Sequence, residues 1–369
     1  MKKGKNARWV MLLIYGLMGV GLGLIYAPVS AGARVALGFC EMLVSAFVCI
    51  YAQILVHEAG HLVFGLLSGY RFRSFRVGSL MWIRTANGIE RRRQSLAGTG
   101  GQCLLSPPEG DADGIPCGWY LMGGAAMNLL LALVALALYF ALRSYAALAR
   151  FLLVWALSGA TVALTNGLPL HMGLIDNDGC TARAVCTSQT ERRAFLTQMR
   201  LNDFLALGGR IRDVSLECLP TENDLSSPMT ATLAVFSANR LMDAHRFDEA
   251  RAEMDRLLAA DSAIVGLYMH LLACDRMYLA LLDGDSERLN ALFTPAQRSF
   301  MKQMRTNPSI LRTQYAYALL AEKDTAKADA CLAQFERAVK HHPYPGEIES
   351  ERELIALAKE KGASWSRCA

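Results

Sequence analysis

The hydrophobic positions divide the chain into two halves. Between residues 9 and 170 apolar side chains run almost without interruption, whereas from about residue 187 onward charged and apolar positions alternate with a helical period. Four runs in the first half approach or exceed the roughly 20 apolar residues that a helix needs to cross a bilayer. They are Trp9 to Tyr26, Val35 to Leu67, Trp119 to Leu142 and Ala147 to Leu170. The pattern predicts an all-α membrane protein with about four transmembrane helices, followed by a soluble α-helical domain. Residues 70–86, YRFRSFRVGSLMWIRTA, show mixed alternation with β-branched and aromatic residues and lead into Asn87-Gly88. That dipeptide is a strong turn signal, and the segment reads as a small cytoplasmic β-hairpin. The expected division is an N-terminal transmembrane anchor over residues 1–34, a membrane core over 35–186 and a cytoplasmic helical domain over 187–369.

Composition supports a membrane location. Of 369 residues, 53% are hydrophobic and only 19% charged, too apolar on average for an ordinary soluble protein. The first run follows a basic cluster (Lys2, Lys3, Lys5, Arg8) and exceeds the usual 7–15 residues of a signal-peptide core, which favours an anchor over a cleaved leader. Basic residues then set the orientation. The cluster before the first span and seven arginines between residues 70 and 118 (Arg71, Arg73, Arg76, Arg84, Arg91, Arg92, Arg93) outweigh Arg34, Arg143 and Arg150 in the alternate loops. The positive-inside rule therefore expects a multi-pass protein of the cell membrane with both termini and the long loop in the cytoplasm. The net charge of +5 comes with no basic stripe interleaved with aromatics, so no nucleic-acid partner is expected. Ten cysteines without C-x-x-C spacing give no sign of disulfides or cysteine-based zinc sites.

Within the second run stands YAQILVHEAGHLVFGLLSG, residues 51 to 69. His57 and His61 are one helical turn apart, so they share a face and can offer two imidazole nitrogens to one metal ion. Glu58 flanks that face, where it can take a proton from water activated by the ion and pass it to a leaving amine. H-E-x-x-H also occurs by chance in soluble helices. In an apolar span, however, each of these groups needs a partner, and metal binding supplies one. The expected cofactor is one Zn2+ per chain.

A catalytic zinc wants a third protein ligand and an open position. TNGLPLHMGLIDNDGC, residues 165 to 180, offers His171, Asp176 and Asp178 directly after the fourth span. Pro169 disfavours helix in the residue before it, so the backbone should unwind there and let a ligand turn inward. Spacing alone does not choose among the three, although His171 reads more simply as a solvated loop residue.

HEAGH in one span, GGAAMN (Gly123 to Asn128) in the next, and N-x-x-P followed by Asp178-Gly179 together resemble the site-2 protease family of intramembrane zinc metalloproteases. FRSFRVGSLMWIR and LAGTGGQC resemble the cytoplasmic segment of a bacterial subgroup without PDZ or CBS domains. The likeness covers residues 35 to about 185 and makes that stretch a protease core. It implies Asp178 as the third zinc ligand, with Asp176 as runner-up because IDNDG departs from the more usual leucine-aspartate-glycine. It also implies that Asn128 and, less directly, Asn166 bind substrate; the simpler reading of both is a helix-to-helix hydrogen bond. Gly123 and Gly124 read as close-packing positions between spans.

The resemblance implies an endopeptidase that hydrolyses a peptide bond in a transmembrane or membrane-proximal segment of a membrane-embedded or tethered substrate. The hairpin would hold an unwound substrate by strand addition, or Arg91 to Arg93 would dock on anionic headgroups of the lipid bilayer. GTGGQC lacks the Lys-Ser/Thr of a phosphate loop and suggests no nucleotide. Ala250, Leu289 and Ala328 recur at a step of 39 after short charged turns, a pattern expected of a tetratricopeptide-like array that binds a protein partner. A plain helical bundle is the alternative. Two other functions compete: a catalytically inactive adaptor of the same fold, against which an intact Glu58 argues, and a metal transporter, which would want polar residues strung along several spans.

Overall fold

A computed structural model describes residues 3–29, 35–96, 98–171, 176–215 and 225–368. Lys2 and Arg34 of the charge count, Cys218, and residues 172–175 of the ligand-bearing segment lie outside the described residues. The chain forms two compact units: residues 1–77 with 100–192, and residues 78–99 with 193–369.

The first unit holds four helices long and apolar enough to cross a membrane: α1 (Lys3–Tyr26), α2 (Val35–Leu67), α3 (Cys117–Leu142) and α4 (Ala146–Gly167). α3 packs between α2 and α4, and α1 lies along α4. Small residues permit the close approach. A methyl group on Gly60 would strike the carbonyl oxygen of Gly123, and one on Gly123 would lie 2.8 Å from that of Gly60. Several polar residues inside these helices have partners on neighbouring helices. Arg150 is not a loop cation as the charge count takes it: it lies within α4 and forms a two-pronged ion pair with Glu41 of α2 at 2.8 and 2.9 Å. An ionised pair satisfies two groups that would each be costly alone at that depth.

After α2, strand β1 (Arg71–Val77) pairs antiparallel with β4 (Gly101–Ser106), and both pack on α2. The short helix α5 (Asp178–Thr187) follows the unwound end of α4 and packs on α3.

The second unit contains the hairpin of β2 (Leu80–Thr85) and β3 (Gly88–Arg93), turned at Ala86-Asn87 with Gly88 in the left-handed region at φ 113°. Met81 and Ile83 alternate inward and pack with Ala206 and Tyr344. The division of units falls within α6 (Gln189–Ala206), after which the chain is entirely helical among the described residues. α7 (Pro228–Asp243) packs on α8 (Phe247–Ala259), α9 (Gly266–Asp283) on α10 (Ser286–Leu292), and α12 (Pro308–Ala316) on α13 (Thr325–Val339), with α11 (Pro295–Gln303) and α14 (Pro345–Cys368) besides. The turns inside the three pairs share a device: His245, Gly284 and Lys323 adopt positive φ, each 39 residues from the next. Ala250, Leu289 and Ala328 stand five residues beyond these turns, and all three are buried. Arg312, fully buried on α12, ties α9 to α14 through Asp275 and Glu351.

Candidate metal centre

Both histidines project from one face of α2, and each is held by its Nδ1. His57 Nδ1 is 2.8 Å from Asn128 Oδ1 on α3, and His61 Nδ1 is 2.8 Å from the carbonyl oxygen of Tyr120. Two oxygen acceptors fix the same tautomer twice: Nδ1 carries the proton and Nε2 is left as a donor for a metal. The two Nε2 atoms are 3.2 Å apart. Asp178 Oδ2 lies 2.9 Å from the first and 3.3 Å from the second.

Three donor atoms at such separations fit a small divalent ion, since tetrahedral bonds of about 2.0–2.1 Å place neighbouring ligand atoms roughly 3.3 Å apart. Gly124 makes room for them. A Cβ there would lie 2.6 Å from both His57 Cε1 and His61 Nε2, so the imidazoles rest directly on the backbone of α3.

Asp178 reaches α2 because of its neighbour Asn177. The helix of α4 stops at Gly167, just ahead of Pro169. Asn177 then donates to the carbonyl oxygens of Thr165 and Leu168 at 2.7 and 2.6 Å, and its Oδ1 accepts from the amides of Leu170 and Cys180 at 3.2 and 3.0 Å. One buried side chain thus replaces hydrogen bonds lost where α4 unwinds and caps α5. Gly179 lets the two backbones meet, since a side chain there would strike the carbonyl oxygen of Gly167. Asp178 occupies the first position of α5, where the helix dipole favours a carboxylate.

Asp176 and His171 face each other instead, at 2.8 Å, with Cys180 Sγ 3.9 Å from His171 Nδ1. Asn166 bonds to the carbonyl oxygen of Val162 within its own helix. Asn128 has both ends engaged: Oδ1 with His57, Nδ2 with the backbone and side-chain oxygens of Gln53 at 2.9 and 2.7 Å. Gln53 in turn donates to the carbonyl oxygen of Trp155 at 3.3 Å, so one chain of hydrogen bonds runs from α4 through α2 and α3 to the ligand face. Asn128→Ala is expected to lower zinc affinity by about 10–100-fold, as loss of an outer partner of a metal-bound histidine does; competition with a fluorescent zinc chelator would measure it.

Glu58 is buried on the flank of this face and has no hydrogen-bond partner among the described residues. The backbone of Gly101, at the start of β4, presses against its carboxylate, where any side chain would collide. Arg76 on β1 is almost fully buried and donates to the Gly101 carbonyl oxygen at 3.0 Å, which fixes that strand end. Gly101 of GTGGQC therefore serves close approach to a carboxylate.

Comparison with family models, curated proteins and solved structures finds no match to this chain.

Proposed function

We propose that this protein is an intramembrane zinc metalloprotease similar to site-2 proteases, resident in the cell membrane with both termini cytoplasmic. The reading is carried by the convergence of His57 Nε2, His61 Nε2 and Asp178 Oδ2 within hydrogen-bond distance of one another inside an apolar helical unit, beside a carboxylate without a partner. Those three atoms would hold Zn2+. When bound, the ion supplies Lewis acidity that lowers the pKa of water to about 7 and polarises a peptide carbonyl.

The chain's own groups do the rest. Glu58 takes the proton of the attacking water and returns it to the leaving amine. Asn128 and the Tyr120 carbonyl keep both imidazoles turned to the ion. β4 pairs with β1 on one side only and presses against Glu58 at Gly101, so its other edge can hold an unwound substrate segment by strand addition. The first unit offers the apolar surface that a lipid-embedded substrate requires. In the second unit the 39-residue recurrence supports a tetratricopeptide-like array that presents a surface to a protein partner.

Chelation tests the reading. Protein purified in detergent and stripped of metal is expected to lose cleavage of a transmembrane substrate and to regain it with about one equivalent of zinc. Undiminished cleavage after complete stripping would contradict it.

A further inference from the structure

Many arginines of the helical unit are neutralised at short range. Arg210, Arg251, Arg276, Arg288, Arg312 and Arg352 each meet a carboxylate. Arg93, Arg305 and Arg337 meet none among the described residues, and all three line one cleft.

The cleft, of about 690 Å³, lies between the end of β3, the turn before α12 and the last turns of α13. That volume is within the roughly 300–1,000 Å³ of sites for compact ligands. Arg93, Arg305 and Arg337 line it, and none has a carboxylate within ion-pair distance among the described residues. Arg337 Nε bonds to the carbonyl oxygen of Ala333, which leaves its terminal nitrogens available. No acidic residue lines the cleft. Glu347, beside the lining residue His342, is engaged by His342 Nε2 at 2.9 Å. The wall is held in place by the Arg93 amide, which donates to the His341 carbonyl oxygen at 2.9 Å. Three exposed guanidinium groups facing one concavity repel one another, and an anion there relieves that cost while accepting forked hydrogen bonds.

The rest of the lining selects the kind of anion. No phenylalanine, tyrosine or tryptophan lines the cleft; its only rings are the imidazoles of His341 and His342, the second engaged by Glu347. Ala338 is the sole aliphatic residue among them, so acyl chains find no apolar wall. Gln94, Gln334, Ser79 and Thr306 instead provide carboxamides and hydroxyls, which pair with peptide amides and carbonyls.

We propose that this cleft binds an extended, carboxylate-rich peptide segment of another protein through Arg93, Arg305 and Arg337. The inference is independent of the proteolytic reading, because it concerns the second unit alone and requires no metal.

The test is fluorescence anisotropy on the full-length protein in detergent, with a short labelled peptide of alternating glutamate and glycine. A glutamine counterpart and inorganic pyrophosphate serve as competitors. The acidic peptide is expected to bind saturably and more weakly as salt rises. Arg305→Glu with Arg337→Glu should weaken it at least about tenfold, while Arg246→Glu, whose arginine pairs with Glu249 elsewhere, should not change it. All three arginines are exposed, so folding should survive, and an unchanged circular dichroism melt would confirm this. Glu58→Gln protein should bind the peptide like wild type, which separates this outcome from the fate of the protease reading. Equal binding of the glutamine peptide, or binding indifferent to the double reversal, would overturn the proposal. So would arginine-dependent binding of pyrophosphate without binding of the acidic peptide, which would assign the cleft to small anions.

Discussion

Glu58→Gln should leave the metal in place and abolish hydrolysis. Glutamine keeps the shape of glutamate and, being neutral, adds no burial penalty beside Gly101, so α2 and the two imidazoles should not move. It has no basic oxygen with which to accept the proton of water. General acid and base assistance is worth about 10²–10⁴-fold, and in the proposed mechanism one carboxylate serves both proton transfers, so a loss of about 10³-fold or more in cleavage rate is expected. Zinc per chain by elemental analysis, together with single-turnover cleavage of a membrane-embedded substrate, checks both halves. Cleavage at the wild-type rate would remove Glu58 from the chemistry and favour an adaptor in which the metal is only structural.

Asp178→Ala should lose both the metal and activity. With Asp178 gone, two imidazoles remain, below the three protein ligands of a catalytic zinc site. Asn177 remains as the staple between α4 and α5, so the loss would report ligation rather than collapse of the connection. Asp176→Ala and His171→Ala are the matching controls. These two residues bond to each other at 2.8 Å, and each variant should retain about one zinc per chain. Zinc retained by Asp178→Ala and lost from Asp176→Ala would move the third ligand to the neighbouring carboxylate.

Sequence pattern reveals the scaffold well where one helix or one turn decides the matter. α2 runs from Val35 to Leu67, the bounds of its apolar run; α4 stops at Gly167, ahead of Pro169; and the hairpin turns at Ala86-Asn87, one residue before the Asn87-Gly88 signal. The histidine pair is visible because its geometry lies within a single turn of helix. What was hidden depends on partners distant in sequence. The Gln53–Asn128–His57 chain joins residues more than 70 positions apart, and Gln53 alone reads as an interruption of a span. Arg150 counts as a loop cation until Glu41 is seen opposite it. Gly124 and Gly101 read as packing or loop glycines, since the imidazoles and carboxylate that need the space belong to another helix. Asn177 is the most legible of these residues: an asparagine immediately before a helix start is a capping signal, here doing double service for the helix before it.

The most direct measurement is zinc K-edge X-ray absorption on the purified full-length protein. The account predicts about one zinc per chain, bound by two imidazole nitrogens and oxygen donors at about 2.0–2.1 Å, with the signal lost in Asp178→Ala. Sulfur in the coordination shell, or an unchanged spectrum in that variant, would contradict it.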